Sequence, residues 1–487
     1  MALVSSGEIS IGGSTSGRSI NLELGKAATA TSSLNDADLR SLAGISTGAI
    51  SLSSFYGKSS VSYFLKLFGD NYEQKLKSGS THLSSGNVYL SGTSYESSIS
   101  KWGLYLAKIN ADANIIWQKC LINSSFNIGD VAHNTITDSS GNFYASCPAQ
   151  PNALLVKYDA NGVLQWQRFL GGGNSTTIYK IQLDSSGNIY VSGTHYDTSW
   201  NLMIFIAKFN SSGVIQWQKT VNAYQFSGNS ITVDSSGNVY ICAQFNYSVL
   251  TIKLDTNGTL LWQHTLGGDS YEAANDITVD SVGNVYVSAS TAQYSASLII
   301  KYNSSGVLQW QKTYSLHLYA QIRTDSSNNF YLFAPYTQSS QYQNRIAIVK
   351  YDSSGVLQWQ RYFQPQFSTS SSRGVYPGSM SLDASGSFYC IFEATAKVTS
   401  NSNDNDIRSF VLKLPVDGSK TGYYEVYGIF PYCNFMYTSL SNTDATATLS
   451  QDNTGTATIS DTTTLVVSTP SFTESARSQS FTTIQQL

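Results

Sequence analysis

One short phrase, a tight turn followed by an aromatic strand, returns seven times along the 487 residues, and nothing else in the chain restricts its fold so tightly. It reads LSSGNVY at 83–89, DSSGNFY at 138–144, DSSGNIY at 184–190 and DSSGNVY at 234–240. It continues as DSVGNVY at 280–286, DSSNNFY at 325–331 and DASGSFY at 383–389. Successive glycines, with Asn328 in the sixth copy, lie 55, 46, 50, 46, 45 and 58 residues apart. With such a repeat, each unit is one supersecondary piece that cannot bury its apolar face alone and must pack against its neighbours.

A second phrase follows each copy: LAKINADANIIWQK at 106–119, LVKYDANGVLQWQR at 155–168, IAKFNSSGVIQWQK at 206–219, TIKLDTNGTLLWQH at 251–264, IIKYNSSGVLQWQK at 299–312 and IVKYDSSGVLQWQR at 348–361. The seventh, VLKLPVDGSKTGYY at 411–424, lacks the tryptophan. Each unit therefore supplies four short strands. The first is the run before the first turn, such as Ile231-Thr232-Val233; the others are the N-V-Y-V-S, L-I-I-K-Y and V-L-Q-W-Q runs. Asp or Asn opens each turn because its side chain can bond its own backbone, and Gly stands where φ must be positive. Apolar and polar residues alternate with period two, and no window of the repeat region has a helical period.

Four strands per unit, seven times over, predict an all-β chain built as a seven-bladed β-propeller over 61–430. Ring closure needs one more strand. VSYFLKLF at 61–68 precedes the first turn, and FLKLFGD at 64–70 parallels WQRFLGG at 166–172. It is expected to complete the seventh blade by pairing near 410–414, with Tyr423–Tyr427 as the competing candidate. Before the repeats, residues 1–60 predict a small module of a hairpin and a short helix. Glu8–Ile11 and Ser19–Leu24 alternate, and 36–43 can be capped by Asn35 and ended by Gly44. After them, 431–487 is rich in Ser and Thr, with alternating runs such as Thr446-Ala447-Thr448-Leu449 that predict a C-terminal β segment.

Two resemblances attach to these residues. The repeats resemble bacterial β-propeller repeats with a D-s-x-G-N-v-Y-v-x-G … K-y-x-x-x-G-x-x-x-W pattern, a match that covers about 61–430 and speaks to fold rather than function. The stretch GEISIGGSTSGRSINLELG through SLNDADLRSLAG to GAISLSSFYGKS resembles an N-terminal module of bacteriophage virion proteins, especially tail and fibre-like proteins of marine phages. That resemblance implies an attachment module, residues 1–60, contacting other virion proteins and carrying an exchangeable downstream domain.

Composition narrows the partners. Charged residues are 12% of the chain, and 28 Lys and Arg face 31 Asp and Glu, a net −3. That balance argues against electrostatic binding to nucleic acid or to an anionic membrane. No apolar run reaches the length of a bilayer span, and MALVSSGEISIGG lacks the basic start and apolar core of a secretory signal. Five widely spaced cysteines make neither a disulfide framework nor a zinc pattern and are expected to be buried thiols. The spacing Gly12–Ser19 mimics a phosphate loop, but Arg18 replaces its lysine and a strand pattern follows.

The repeated Asp138, Asp184, Asp234, Asp280, Asp325 and Asp383 supply one carboxylate per turn, which suits turn capping rather than calcium. The D-x-x-G-x-x-x-W element resembles the tryptophan docking motif of quinoprotein propellers, where the Trp packs between blades. No catalytic, cofactor or metal residue is therefore assigned, and the chain is not expected to be an enzyme.

In such blades the turns after strands one and three share a face, and the connections after strands two and four share the other. The second set varies and is aromatic: GTHYDTSWN at 193–201, FAPYTQSSQYQNR at 333–345, FQPQFSTSSSRGVYPG at 363–378 and EATAKVTSNSNDNDIR at 393–408. Variable loops on a rigid scaffold are where binding resides. Tyr196, Trp200, Tyr336, Tyr342 and Arg373 form the candidate recognition face, suited to a host-surface glycan or protein. The expected function is that of a virion structural protein of a phage tail, extracellular when it acts, recognising the host or joining tail components, with self-association left open. The alternatives are a secreted or surface bacterial adhesin and, third, a propeller enzyme, either a glycoside hydrolase or a quinoprotein.

Overall fold

The computed structural model describes residues 64–68, 74–96, 100–111, 113–122, 128, 134–222, 230–245, 247–267, 272–290, 297–314, 320–337, 344–367, 375–383, 387–396, 406–418, 422–425, 433–439, 444–446, 450–452, 459–461, 466–468, 473–476 and 481–486, together with Ile20. The chain divides into two units, 1–63 with 384–387, and 64–383 with 388–487; the second holds the repeats. The expected N-terminal hairpin and helix, with the Gly12–Ser19 loop, lie outside the described residues.

The repeats form seven antiparallel blades. Their innermost strands are Gln74–Thr81, Asn134–Thr137, Ser175–Leu183, Ser230–Val233, Ala273–Val279, Gln321–Thr324 and Val375–Leu382, for blades 1 to 7. Blade 3 shows the plan: Ser175–Leu183, Ile189–Tyr196, Leu202–Phe209 and Ile215–Asn222 pair in sequence. Each inner strand lies against that of the next blade, and the inner strand of blade 7 lies against that of blade 1, so the ring is closed. Phe64–Phe68 is the fourth strand of blade 7, in register Phe64 with Lys413 through Phe68 with Ser409. The competing candidate goes elsewhere: Gly422–Glu425 lies farther out, between two strands of the C-terminal segment.

The same three residues join each of blades 1 to 6 to the next, and blade 7, which lacks the tryptophan, keeps the other two. The tyrosine of strand two is buried, and the lysine of strand three lies over its ring, as Lys208 does over Tyr190 at 5.1 Å and Lys253 over Tyr240 at 5.0 Å. That lysine donates to a turn carbonyl of the following blade: Lys108 to Ala160 at 2.8 Å, Lys208 to Thr256 at 3.0 Å and, across the closure, Lys413 to Ala111 at 3.2 Å. The strand-four tryptophan covers a turn glycine of the following blade. A Cβ on Gly213 (φ 72°) would stand 2.9 Å from the ring of Trp166, and Gly162, Gly258, Gly306, Gly355 and Gly418 meet Trp117, Trp217, Trp262, Trp310 and Trp359 in the same way. The glycine is needed twice over, for its positive φ and for the ring on top of it. The expected inter-blade role of the tryptophans is thus observed. The apolar core lies between blades; Tyr190, Ile204, Ile206 and Val221 of blade 3 pack with Ile231, Val239, Ile241 and Leu250 of blade 4.

Turn capping by aspartate is equally direct. Asp184 Oδ1 accepts from the backbone N–H groups of Ser186 and Asn188, both at 2.9 Å, and Oδ2 accepts from Asn188 Nδ2 at 2.8 Å and from the Tyr190 hydroxyl at 3.1 Å. Burial works to raise its pKa, but these donors outweigh it and hold the carboxylate below its ordinary value. Burial, with a smaller contribution from Asp184, pushes the Tyr190 phenol up to about 12. Cys120, Cys147, Cys242 and Cys390 are buried thiols, as expected.

The C-terminal segment does form strands, and their placement was not legible in the sequence. They run backwards around the rim, one per blade. Cys433–Ser439 pairs with strand four of blade 6, Asp444–Thr446 with blade 5, Ser450–Asp452 with blade 4 and Ile459–Asp461 with blade 3. Val466–Ser468 then adds to blade 2, Thr473–Ala476 to blade 1 and Phe481–Gln486 to Phe64–Phe68 of blade 7. Every blade therefore has a fifth, outermost strand, and blades 6 and 7 merge through theirs into one sheet of 11 strands.

Candidate recognition face and central channel

The turn Asp197–Asn201 connects strands two and three of blade 3, on the face of variable connections. It copies the D-S-S-G-N turn. Asp197 N–H donates to the Asn201 carbonyl at 3.1 Å, and Asp197 Oδ1 accepts from the N–H groups of Ser199 (2.8 Å) and Asn201 (2.9 Å). In this copy, D-T-S-W-N, Trp200 occupies the glycine position. Its φ is 64°, left-handed backbone that a bulky side chain rarely adopts, and it is 66% exposed. Its ring meets Tyr196 edge-on at 5.8 Å. In the corresponding hairpin of blade 4, Tyr247 is also left-handed, φ 65°, and half exposed. Two neighbouring blades thus hold exposed aromatic rings on strained backbone, on one face. The signal for Trp200 was present in the sequence as a D-S-S-G-N turn with Trp in place of Gly.

The other candidates fare differently. Tyr336 stands within the strand Phe330–Thr337, opposite Arg345, rather than in a loop, because the hairpin strands run farther than the alternation indicated. Tyr342 and Arg373 lie outside the described residues. Only Tyr196 and Trp200 of the five are brought together among the described residues.

A second site was not anticipated. The inner strands surround a channel of about 730 Å³. Two rings of side chains line it, one per blade: Ser78, Asn134, Lys180, Ser230, Asp276, Gln321 and Ser379, then Ser80, Ile136, Gln182, Thr232, Thr278, Arg323 and Ser381. Of these fourteen only Ile136 is apolar, and Leu76, Ile181, Pro377 and Met380 also border the channel. Ile231 and Ile277 of strand one pack in the core between blades, and their neighbours Thr232 and Thr278, themselves largely buried, stand in the channel lining. In blades 1, 3, 5 and 7 the register slips at Lys77, Tyr179, Asn275 and Gly378, so an extra residue enters the lining. Bulges of this kind re-aim side chains beside functional sites.

Asp276 is the centre of the lining. Its Oδ1 accepts from Ser230 Oγ at 2.6 Å and lies 3.5 Å from Lys180 Nζ, while Oδ2 accepts from the Ile322 N–H at 3.2 Å and from Arg323 Nη1. Burial works to raise its pKa, but Arg323 and then Lys180 hold the carboxyl well below the ordinary range. Burial, then Arg323, pulls the Lys180 ammonium down to about 8. Among the described residues no group of three His, Cys, Asp or Glu is placed to hold a metal.

Replacing Asp276 with Asn leaves two cations facing each other, and breaking a buried pair in this way costs about 3–5 kcal/mol. Urea unfolding at neutral pH will show that loss. A carboxyl depressed in the folded state contributes fully above the unfolded value near pH 4 and loses its contribution as pH falls through the folded value. The gap between wild type and Asp276→Asn will therefore narrow below about pH 4.

No family model and no curated protein matches the chain. Several solved structures align with part of the chain. A protein of unknown function from Bacteroides caccae is 15% identical with a TM-score of 0.37, covering 61% of this chain and 93% of that one. The Dos1 propeller is 11% identical with a TM-score of 0.40, covering 77% and 95%. A mutant puromycin hydrolase in complex with PGG is 10% identical with a TM-score of 0.45, and the match covers 70% of this chain and 52% of that one. The strand pairing described above carries the propeller assignment: the chain is a seven-bladed β-propeller.

Proposed function

We propose that this chain is a structural protein of a bacteriophage tail whose propeller recognises the host surface, anchored to other virion proteins through residues 1–60. The virion part of this reading is supported by the resemblance of those 60 residues to phage attachment modules. The recognition part is carried by Trp200. A bulky residue held at positive φ costs about 1–3 kcal/mol, and such strain is retained where it serves a function. Glycine would relieve it, as it does in the sister turns. What it contributes is an exposed ring on a rigid turn, braced by Tyr196, with Tyr247 on the next blade. Aromatic faces amid Ser and Asn, with few charges, suit stacking on sugar rings or docking on a protein loop.

The paired substitution Trp200→Gly and Tyr247→Gly separates stability from binding. The purified variant should melt at or above the wild-type temperature, since two strained positions are relaxed. Particles carrying it should adsorb to host cells at least about tenfold less, at about 1–2 kcal/mol for each anchor lost. Undiminished adsorption would remove the recognition role. Absence of the chain from purified particles, tested by peptide mass spectrometry, would remove the virion role.

A further inference from the structure

The central channel holds more positive charge than its own carboxylates balance. Lys180 and Arg323 share Asp276, while Lys77 and Glu393 pair with each other at 2.9 Å. Among the described lining residues three cations thus face two carboxylates, one charge in excess, inside a cavity of small-molecule size. Asp276 already has four partners in addition to its neighbour's backbone and takes no more. Arg323 gives Nη1 to Asp276 and to the Ile322 carbonyl, and its Nη2 and Nε meet no partner among the described residues. Nor do the side chains of Gln182 and Thr232, which also line the channel. Tyr179, the bulged residue beside Lys180, is 36% exposed and stands in the same lining.

We propose that the channel binds an acidic sugar, its carboxylate seated on Arg323 and Lys180 and its hydroxyl groups on Gln182, Thr232 and the serine-rich remainder of the two rings. The unspent edge of a guanidinium is a fork that matches one planar carboxylate. A partly desolvated cation cluster short of a counter-charge is relieved by an incoming anion, and the depressed ammonium of Lys180 fits that shortage. Much of the rest of the lining is uncharged donors and acceptors, among them Asn134, Thr135 and Gln321, the complement of a polyol, and the partly exposed Tyr179 supplies an aromatic residue for the C–H side of a sugar ring.

Calorimetric titration of the full chain with glucuronate and N-acetylneuraminate, with glucose and inorganic phosphate as controls, tests this. At least one acid sugar should bind, glucose at least about tenfold more weakly because it lacks the charge-assisted hydrogen bond, and phosphate at least about tenfold more weakly because it lacks the hydroxyl groups that reach Gln182 and Thr232. Arg323→Gln should weaken binding by a similar factor. Because that change also strips Asp276 of a partner, Gln182→Leu provides a second variant that disturbs no described contact, and it should weaken binding severalfold. Trp200→Gly, outside the channel, should leave the titration unchanged, so the outcome is independent of the recognition face and of the virion reading. No binding of either acid sugar at millimolar concentration, equal binding of glucose or phosphate, or unaltered affinity in both channel variants would overturn the proposal.

Discussion

Removing residues 431–487 will make the propeller more prone to self-associate and to be cut by proteases. Each blade now ends in a short tail strand: Thr473–Ala476 covers Ile115–Ile122 of blade 1, Ile459–Asp461 covers Ile215–Asn222 of blade 3, and so on around the rim. Without the tail, all seven fourth strands present open rows of N–H and C=O groups, which is the template for edge-to-edge pairing. The loss is also energetic. At about 1 kcal/mol net for each backbone hydrogen bond, even one bond per blade sums to about 7 kcal/mol, a melting shift of about 8 °C for a chain of this size. Size-exclusion chromatography, limited proteolysis and thermal melting of the truncated chain check this. A monodisperse product with unchanged melting would show that the tail strands contribute nothing to the rim.

The second large effect is expected at the closure. Leu65→Pro together with Leu67→Pro keeps the chain length and removes two donors from Phe64–Phe68, a strand paired on both sides, with 409–413 and with 481–484. Proline is not tolerated inside a sheet, and each lost donor leaves an unmet partner at about 1–3 kcal/mol. Blade 7 then loses its fourth strand, the rim strand Phe481–Gln486 loses its seat, and the ring that joins blade 7 to blade 1 is no longer held from the N-terminal side. The doubly substituted chain should melt well below wild type and be cut between blades 7 and 1. Retained melting temperature would mean that Lys413 and Tyr389, which donate to Ala111 and Gly86 of blade 1, close the ring without that strand.

Much of this protein was determined by short-range features of its sequence. The D-S-S-G-N turn needs a carboxylate two and four residues from the N–H groups it binds and a residue at positive φ, and although the first copy lacks the Asp and the sixth has Asn328 for Gly, seven copies were readable without any tertiary information. Period-two alternation gave four strands per unit, and the repeated Trp and Gly implied how blades dock. Even Trp200 was legible, as a turn phrase with the wrong residue at its glycine.

Three things were decided only in three dimensions. The tail's strands are three to seven residues long, and such runs of Ser and Thr fit many edges equally; the reverse course around the rim follows from which edges the folded ring leaves open. The channel joins Lys180, Ser230, Asp276 and Arg323, residues that stand in four different repeats. Their meeting depends on a closed ring, a long-range condition that no local pattern encodes. The bulges at Lys77, Tyr179, Asn275 and Gly378 shift the pleat by one residue, and with period two a single slip decides which side chains face the channel.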